Sequence, residues 1–434
     1  MRFVLLAILV LLGALPVACG GSAAEPTSAP TAAATAVASP CLADTATAAA
    51  SPTSPATASQ PAPTAASGQF AFFGAPEGTS PSSVYLAGSD GAGLRPVWGW
   101  PTVESYAVYL EWSPDGRQLA FFGHDAGLDA ASGGYSALFW LDPDRGETTN
   151  LNLSHLRDVG FMWGPPTWSP DASQLYVSLP PPSTVPAGVD PNAIAGILAI
   201  PVDSSAAPTW LITLQQLDMQ TPTLRVSPDG QTIAAIVGEP AQLVVVRVDD
   251  PQTRVVVCEL PIGGFPVWSP DSRQLAFISL SPDGTGQLWF VNADGTGLSP
   301  LTDHQPPDGV AYGGTAADPV WSPDGRQITY TMLHDATPQV YVSAVDGSQT
   351  LNLSNDPAWA DIGPSWSPDG REIAFVSRPA EAWRAGEEPS IADIRVIMVD
   401  GTDLRTAVAG VQGVRFDPFD EETTGLPAWR PSAP

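Results

Sequence analysis

Proton transfer, metal binding and nucleophilic attack need particular side chains at particular spacings, and this chain offers few of them. Among 434 residues there are four His (His124, His155, His304 and His334) and three Cys. No two His stand four apart, as a zinc-binding helix requires, and no two Cys are close enough for a metal knuckle. A Gly-x-Ser-x-Gly nucleophile elbow and a Gly-rich phosphate loop are both missing from the sequence. "DPDRG" at Asp142 and "NADGTG" at Asn292 carry the oxygen ligands of a calcium loop. They lack the twelve-residue pattern ending in Glu and read as hairpin turns. Carboxylates are plentiful, 45 in all, but no pair is marked for glycoside chemistry. The expectation is therefore no cofactor, no metal and no enzyme, with a saccharide hydrolase or lyase as the alternative.

What the sequence does supply is aromatic and acidic surface. Trp98, Trp100, Trp163, Trp359 and Trp383 fall, like all four His, in irregular stretches between repeated strand-like segments. Asp125, Asp303, Asp335, Glu387 and Glu388 lie in the same stretches. Aromatic side chains beside carboxylates suit a binding rim. Whether they share a face depends on the elements that carry them.

Those elements repeat. "WSPDGRQLAFFG" at Trp112 returns as "WSPDSRQLAFIS" at Trp268 and "WSPDGRQITYTM" at Trp321, with further copies at Trp168, Val226 and Trp366. A worn copy, "AWRP", follows at Ala428. Successive copies are 56, 58, 42, 53, 45 and 63 residues apart, a fixed frame with loops of variable length. Pro presets φ for the turn, Asp bonds backbone amides and Gly accepts positive φ. An alternating apolar strand follows, then a second strand ending in a "DG"-type hairpin, such as "QVYVSAVDG", then a short third. With the Trp segment this makes four antiparallel strands per unit, and radial repetition of such sheets is a β-propeller.

The count sets the ring size. "QFAFF" at Gln69 lacks a preceding Trp turn, and "AWRP" lacks a following strand. Together they make one blade, predicting an all-β, seven-bladed propeller over residues 68–434, sealed by strands from both ends. Six blades is the alternative, if the unit at Val226 does not fold as one. Strand parity then places the "SPDG" and "DG" turns on one face of the ring. The variable loops, with all the His and Trp residues named above, lie on the other, where function concentrates.

The N-terminus reads as address and tether. "MRFVLLAILVLLGALPVACGGS" has one basic residue, an apolar run and small residues before Cys19, the pattern of a signal peptide over residues 1–18. It resembles the lipobox of bacterial lipoproteins, although Pro16 stands where that family favours an aliphatic residue. The resemblance implies acylation of Cys19, and two acyl chains suffice for stable anchoring. Residues 19–67 are almost wholly Ala, Pro, Ser and Thr, a disordered linker spanning about 35–40 Å. Of the other cysteines, Cys41 lies in this linker and Cys258 in the strand-like "RVVVCEL", where an unpaired, buried thiol is expected.

Charge narrows the partners. The formal charge is −28 and every one of the 17 basic residues is Arg, so the basic footprint that nucleic acid requires is missing. The repeat resembles the WD40-like PD40 repeat of the TolB C-terminal propeller and related bacterial envelope proteins, over about residues 69–430. TolB is six-bladed and carries an α/β domain where this chain has its linker. The resemblance implies an extracytoplasmic protein at the cell surface or in the periplasm. The combined expectation is a monomeric binding scaffold, touching the membrane only through its anchor and recognising a protein, peptide or cell-wall ligand. The expected binding face comprises Trp98, Trp100, His124, His155, Trp163, His304, His334, Trp359 and Trp383. An accessory subunit of an envelope complex, as in TolB, is a further alternative.

Overall fold

The computed structural model describes residues 2–3, 68–77, 83–99, 106–124, 137–152, 165–179, 181, 190–203, 206–217, 223–237, 242–252, 254–258, 266–280, 286–301, 319–334, 337–385, 390–414 and 426–431. Seven antiparallel sheets of four strands each follow one another along the chain. Blade 1 joins Ala428–Trp429 to Gln69–Gly74, Ser83–Gly88 and Arg95–Gly99. Blades 2 to 7 begin with innermost strands Tyr106–Trp112, Thr167–Trp168, Thr223–Val226, Val267–Trp268, Val320–Trp321 and Trp359–Trp366. The irregular unit at Val226 is a full blade, the fourth. A two-residue strand, Arg2–Phe3, runs parallel to the outer strand of blade 2. The lipobox Cys19, Cys41 and the rest of the linker lie outside the described residues, and Cys258 ends the outer strand of blade 4 opposite Leu243.

The second strands are largely buried on both faces, because neighbouring blades cover them; in blade 3 the strand Gln174–Leu179 alternates buried and half-buried residues. In "QFAFF" the side chains alternate: Phe70 and Phe72 pack with Ile362, Val376 and Ile394 of blade 7. Ala71 and Phe73 pack instead with Trp112, Leu119 and Phe121 of blade 2. Equivalent clusters join blades 3 to 4, 4 to 5, 5 to 6 and 6 to 7. The hydrophobic core is thus a series of wedges between blades, and no blade has one of its own.

The repeated Trp does more than fill those wedges. Each indole N–H donates to a backbone carbonyl on the innermost strand of the preceding blade. Trp168 reaches Glu111 at 3.0 Å, Trp268 reaches Arg225 at 3.1 Å and Trp366 reaches Val320 at 3.0 Å. Trp321 reaches Val267 at 3.3 Å, Trp429 reaches Ser365 at 2.9 Å and Trp112 reaches Ala428 at 2.9 Å. Val226 has no N–H to give, so the step from blade 3 to blade 4 relies on packing.

The Ser-Pro-Asp turn is also uniform. In all six copies the Ser hydroxyl donates to the Asp carboxylate at 2.6–2.7 Å. The same Ser oxygen accepts the amide five residues on, as from Gln118 at 2.9 Å. These bonds hold Asp171 down at about 2, the Ser169 hydroxyl acting most strongly. The fourth turn residue has φ of +67° at Gly116, +69° at Gly325 and +68° at Gly370. Ala172 (+58°) and Ser272 (+61°) keep this conformation without the freedom of Gly.

Closure is made by the chain ends. Phe70 pairs with Trp429 and Ala71 with Ala428. Arg430 then fastens the joint: its guanidinium lies 5.1 Å from the Trp112 ring, donates to the Gly116 carbonyl at 2.7 Å and forms an ion pair with Asp144. Gly116 leaves no room for a Cβ, which would run into the Pro431 carbonyl.

Two stability predictions follow from these contacts. Ala172→Gly relieves the left-handed strain and should stabilise the protein by about 0.5–1 kcal/mol. Ser272→Gly should give no gain, because the Ser272 hydroxyl also accepts the Asp229 amide at 3.0 Å. Chemical denaturation of both variants checks the pair. Arg430→Ala should lower the melting temperature by about 5 °C or more, and an unchanged melt would mean that the clasp does not hold the ring.

Candidate functional site

Among the described residues, most polar side chains buried away from the repeated Ser-Pro-Asp turns lie in two of the seven blades, the others being Ser83 and Ser89 of blade 1 and Ser279 of blade 5. Thr329, Thr331, Thr337, Gln339 and Ser343 belong to blade 6; Asp361, Ser377, Arg378 and Arg395 belong to blade 7; Ser354 lies in the crossing between them. Hydrophobic wedges need none of these. At the loop end of the interface, Gln339 is the hub. Its amide donates to the carbonyls of Trp359 (2.7 Å) and Asp356 (3.2 Å). Its oxygen accepts from the Ser354 hydroxyl at 3.1 Å and the Asp356 amide at 3.0 Å. One side chain thereby fixes the whole crossing segment 353–359.

Beside this hub, Asp361, Ser377 and Asp393 form one row across blade 7. Asp361 is 1 % exposed and accepts the Ser377 hydroxyl on Oδ1, while Oδ2 has no hydrogen-bond partner. Burial pushes the Asp361 carboxyl up to about 6. The Ser377 and Ser354 hydroxyls and the Arg395 charge pull the other way without overcoming it. Two Arg–Trp stacks flank the row: Arg395 lies 3.6 Å over the Trp359 ring and Arg378 lies 4.8 Å from that of Trp383. Trp383 stands on the short helix Ala380–Ala385, whose Arg384 donates to the Thr337 hydroxyl of blade 6.

Three residues of the expected binding face lie at this end of blades 6 and 7, at three different interfaces: Trp359 is stacked with Arg395, Trp383 packs against the cluster between blades 7 and 1, and His334 neighbours Tyr341 of the cluster between blades 5 and 6. Trp359 and Trp383 are half-buried, and His334, exposed at the end of its strand, lies 3.3 Å from the Tyr341 hydroxyl. Trp98 packs instead between blades 1 and 2, 5.0 Å from Phe121 and 4.8 Å from Phe139. His124 ends a strand of blade 2. Trp100, His155, Trp163 and His304 lie outside the described residues, as do Asp125, Asp303, Asp335, Glu387 and Glu388. Sequence reasoning missed Gln339, Asp361, Arg378 and Arg395. The available signal was Arg395 in "DIRVI", at a place held by Tyr341, Trp289 and Val244 in the preceding copies; Gln339 carried none, because Gln242 and Gln287 hold the same place.

A second feature lies at the ring's centre. The residue before each conserved Trp, or before Val226, sits on an innermost strand and is half-buried. Five of these are neutral (Thr167, Val267, Val320, Ser365 and Ala428); the other two are Glu111 and Arg225. Glu111 keeps part of its surface open, but the surrounding protein atoms desolvate its carboxyl and push it up to about 7, with Arg225 opposing the shift. A carboxyl that titrates near neutrality can serve as an acid or a base. Among the described residues no group of three or more His, Cys, Asp or Glu is placed to hold a metal ion.

The raised carboxyls carry a stability consequence of defined sign. A folded pKa above the ordinary value means that the native state binds the proton more tightly. Stability contributed by the protonated form is full below about pH 4 and is lost as pH rises through about 6 for Asp361 and about 7 for Glu111. Asp361→Asn and Glu111→Gln should each raise the melting temperature at pH 8 by about 3 °C and leave it nearly unchanged at pH 4. Thermal melts across that range check this.

Comparison with known proteins places these features in context. Residues 211–398 match the PD40 family, TolB beta propeller domain. The Tol-Pal system protein TolB of Anaeromyxobacter dehalogenans is 32 % identical over 123 residues, 28 % of this chain and 26 % of that protein. The similarity therefore spans about a quarter of the relative. A puromycin-hydrolysing peptidase of Mycobacterium tuberculosis has a TM-score of 0.53 at 14 % identity, covering 80 % of this chain and 54 % of that one. An oligogalacturonate lyase in complex with manganese has a TM-score of 0.50 at 15 % identity, covering 82 % and 89 %. Both are enzymes, and this corrects the expectation that the chain is not one: catalysis is compatible with the fold. The absence of linear motifs was a poor guide because side chains meeting at a ring's centre come from different blades and share no spacing. The likeness to TolB is one of sequence over part of the chain: the folded part is a seven-bladed β-propeller, of which residues 211–398 match the TolB beta propeller domain family.

Proposed function

We propose that this chain is an extracytoplasmic propeller, anchored by an acylated Cys19 and held off the membrane by the linker at 19–67, that binds a protein or peptide partner on its loop face. The reading rests above all on the polar lattice between blades 6 and 7. Gln339 directs four of its hydrogen bonds to a crossing loop that ends in Trp359. A rigid, half-buried aromatic beside a fixed loop binds with little loss of conformational entropy. Trp359, Trp383 and His334 would form the centre of the contact. Trp98, Trp100, His124, His155, Trp163 and His304 would extend it round the ring. A TolB-like role as an accessory subunit of an envelope complex is compatible with this reading.

Glu111 favours a second reading, a hydrolase or lyase of saccharides acting at the ring's centre. A carboxyl at about 7 opposite a guanidinium suits proton transfer to or from an anionic sugar.

Site-specific photo-cross-linking in cells separates the two. A photoreactive residue at Trp383 should trap a discrete protein, and one at Asp346, in a hairpin turn of the regular face, should not. Equal or absent trapping from both positions contradicts the binding reading, and oligosaccharide cleavage abolished by Glu111→Gln supports the second. Cys19→Ala should release the protein from membranes; sedimentation with membranes despite that change would count against acylation.

A further inference from the structure

We propose that the slot between blades 6 and 7 is a carboxylate-binding site, anchored by Arg395 and walled by Trp359, and that the carboxylate is carried by a peptide partner. This deepens the peptide-binding reading and depends on it.

Arg395 is the unusual member of the lattice. It lies in mid-strand on blade 7, opposite Phe375, and is 9 % exposed. Its guanidinium rests 3.6 Å above the Trp359 ring, which satisfies a face of the cation but none of its N–H donors. Among the described residues nothing accepts a hydrogen bond from this side chain and no carboxylate reaches ion-pair distance. A charge taken this far from water without acceptors is costly, and a bound oxyanion removes that cost. Arg pairs with carboxylates through two parallel N–H···O bonds, and stacking on Trp359 leaves the in-plane donors available for them.

The nearest acid does not meet that need. Asp361 feels the Arg395 charge, but its Oδ1 is taken by Ser377 and its Oδ2 is buried without a partner. The Arg395 guanidinium, with no acceptor among the described residues, and the Asp361 Oδ2, buried without a partner, therefore stand on the same face of blade 7. A peptide carboxylate would accept from Arg395 with one oxygen or both. With Asp361 protonated, its hydroxyl would donate to the incoming oxygen, which satisfies the second orphan group. The other charged groups around Asp361 are Asp356 on the crossing loop and Asp393 on the neighbouring strand, whose Oδ1 already accepts the Gly410 amide at 2.9 Å. Arg384, on the short helix of blade 7, reaches Thr337 of blade 6 at the same end, whereas Arg378 lies on the other face of the sheet, stacked with Trp383. The hydrocarbon of the bound residue would pack on Trp359, whose carbonyl Gln339 holds in place.

The test uses the full chain and three N-acetylated tetrapeptides in calorimetric titrations. One is all-Ala with a free C-terminal carboxylate, one is a C-terminal amide with Glu at its third position, and one is an all-Ala amide. The expected result is saturable binding of either carboxylate peptide, showing whether a chain end or a side chain is preferred, and none of the amide. Arg395→Gln should weaken it by about tenfold or more, with Arg395→Lys in between. Affinity should fall as pH rises from 5 to 8, and Asp361→Asn should flatten that profile, a readout that survives if Arg395→Gln fails to fold. Equal binding of the all-Ala amide, full binding by a folded Arg395→Gln, or Arg395-dependent binding of free galacturonate without peptide binding would each overturn the proposal. If Trp383 cross-links a protein but no carboxylate is preferred, only this inference falls; if neither occurs, the binding reading falls with it.

Discussion

The ring depends on a single repeated hydrogen bond, from a Trp indole N–H to the innermost carbonyl of the blade before it. A wedge of apolar side chains is non-directional and would tolerate blades sliding past one another. The indole bond is directional and sits at the narrow inner end, where a small displacement becomes a large one at the rim. Because each Trp is also buried in the wedge, the same residue supplies area and register. The one blade that begins with Val226 shows that the ring tolerates a missing bond, provided that apolar packing continues on both sides.

That constraint divides the molecule into a conserved and a variable half. The Ser-Pro-Asp turn must deliver its Trp to the same place in every blade, so its Ser–Asp–amide bonds are copied almost without change. The opposite ends of the strands have no such duty, and the sequence diverges there. In blades 6 and 7 it has diverged toward buried Gln, Asp, Ser and Arg, which stiffen a crossing loop and hold charge inside an otherwise apolar interface. Such groups cost stability compared with the hydrophobic pairs used between the other blades. Their concentration at one place on the loop face is therefore a sign of function, which framework demands alone would not produce.

The centre of the ring brings a second set of side chains together by the same geometry. Seven equivalent half-buried positions lie on the innermost strands, and three of them, Val267, Val320 and Ala428, also pack against the wedges beside them. Five are neutral, while Glu111 and Arg225, two blades apart, introduce opposite charges into a confined space. Burial shifts the Glu111 carboxyl to about 7, which gives a chain without catalytic motifs one group able to exchange protons at neutral pH. A propeller can therefore host binding at its rim and proton transfer at its centre on one frame.

The sequence by itself determined the blade count, the order of strands within a blade, the closure of the ring by its two ends and the face on which the irregular loops lie. All of these follow from local turn chemistry and the period-two alternation of strands, which act between near neighbours in the chain. The parity of the strands also puts Trp359, Trp383 and His334 at the loop end of blades 6 and 7. Only the tertiary structure decided that Trp98 is packed between blades, that Arg395 stacks on Trp359 and that the Asp361 carboxyl lies beside it with an orphan oxygen. Only it could bring Glu111 toward Arg225 across 114 positions of sequence. Those relations are made between blades, where contact is set by the ring's curvature and carries no fixed spacing along the chain.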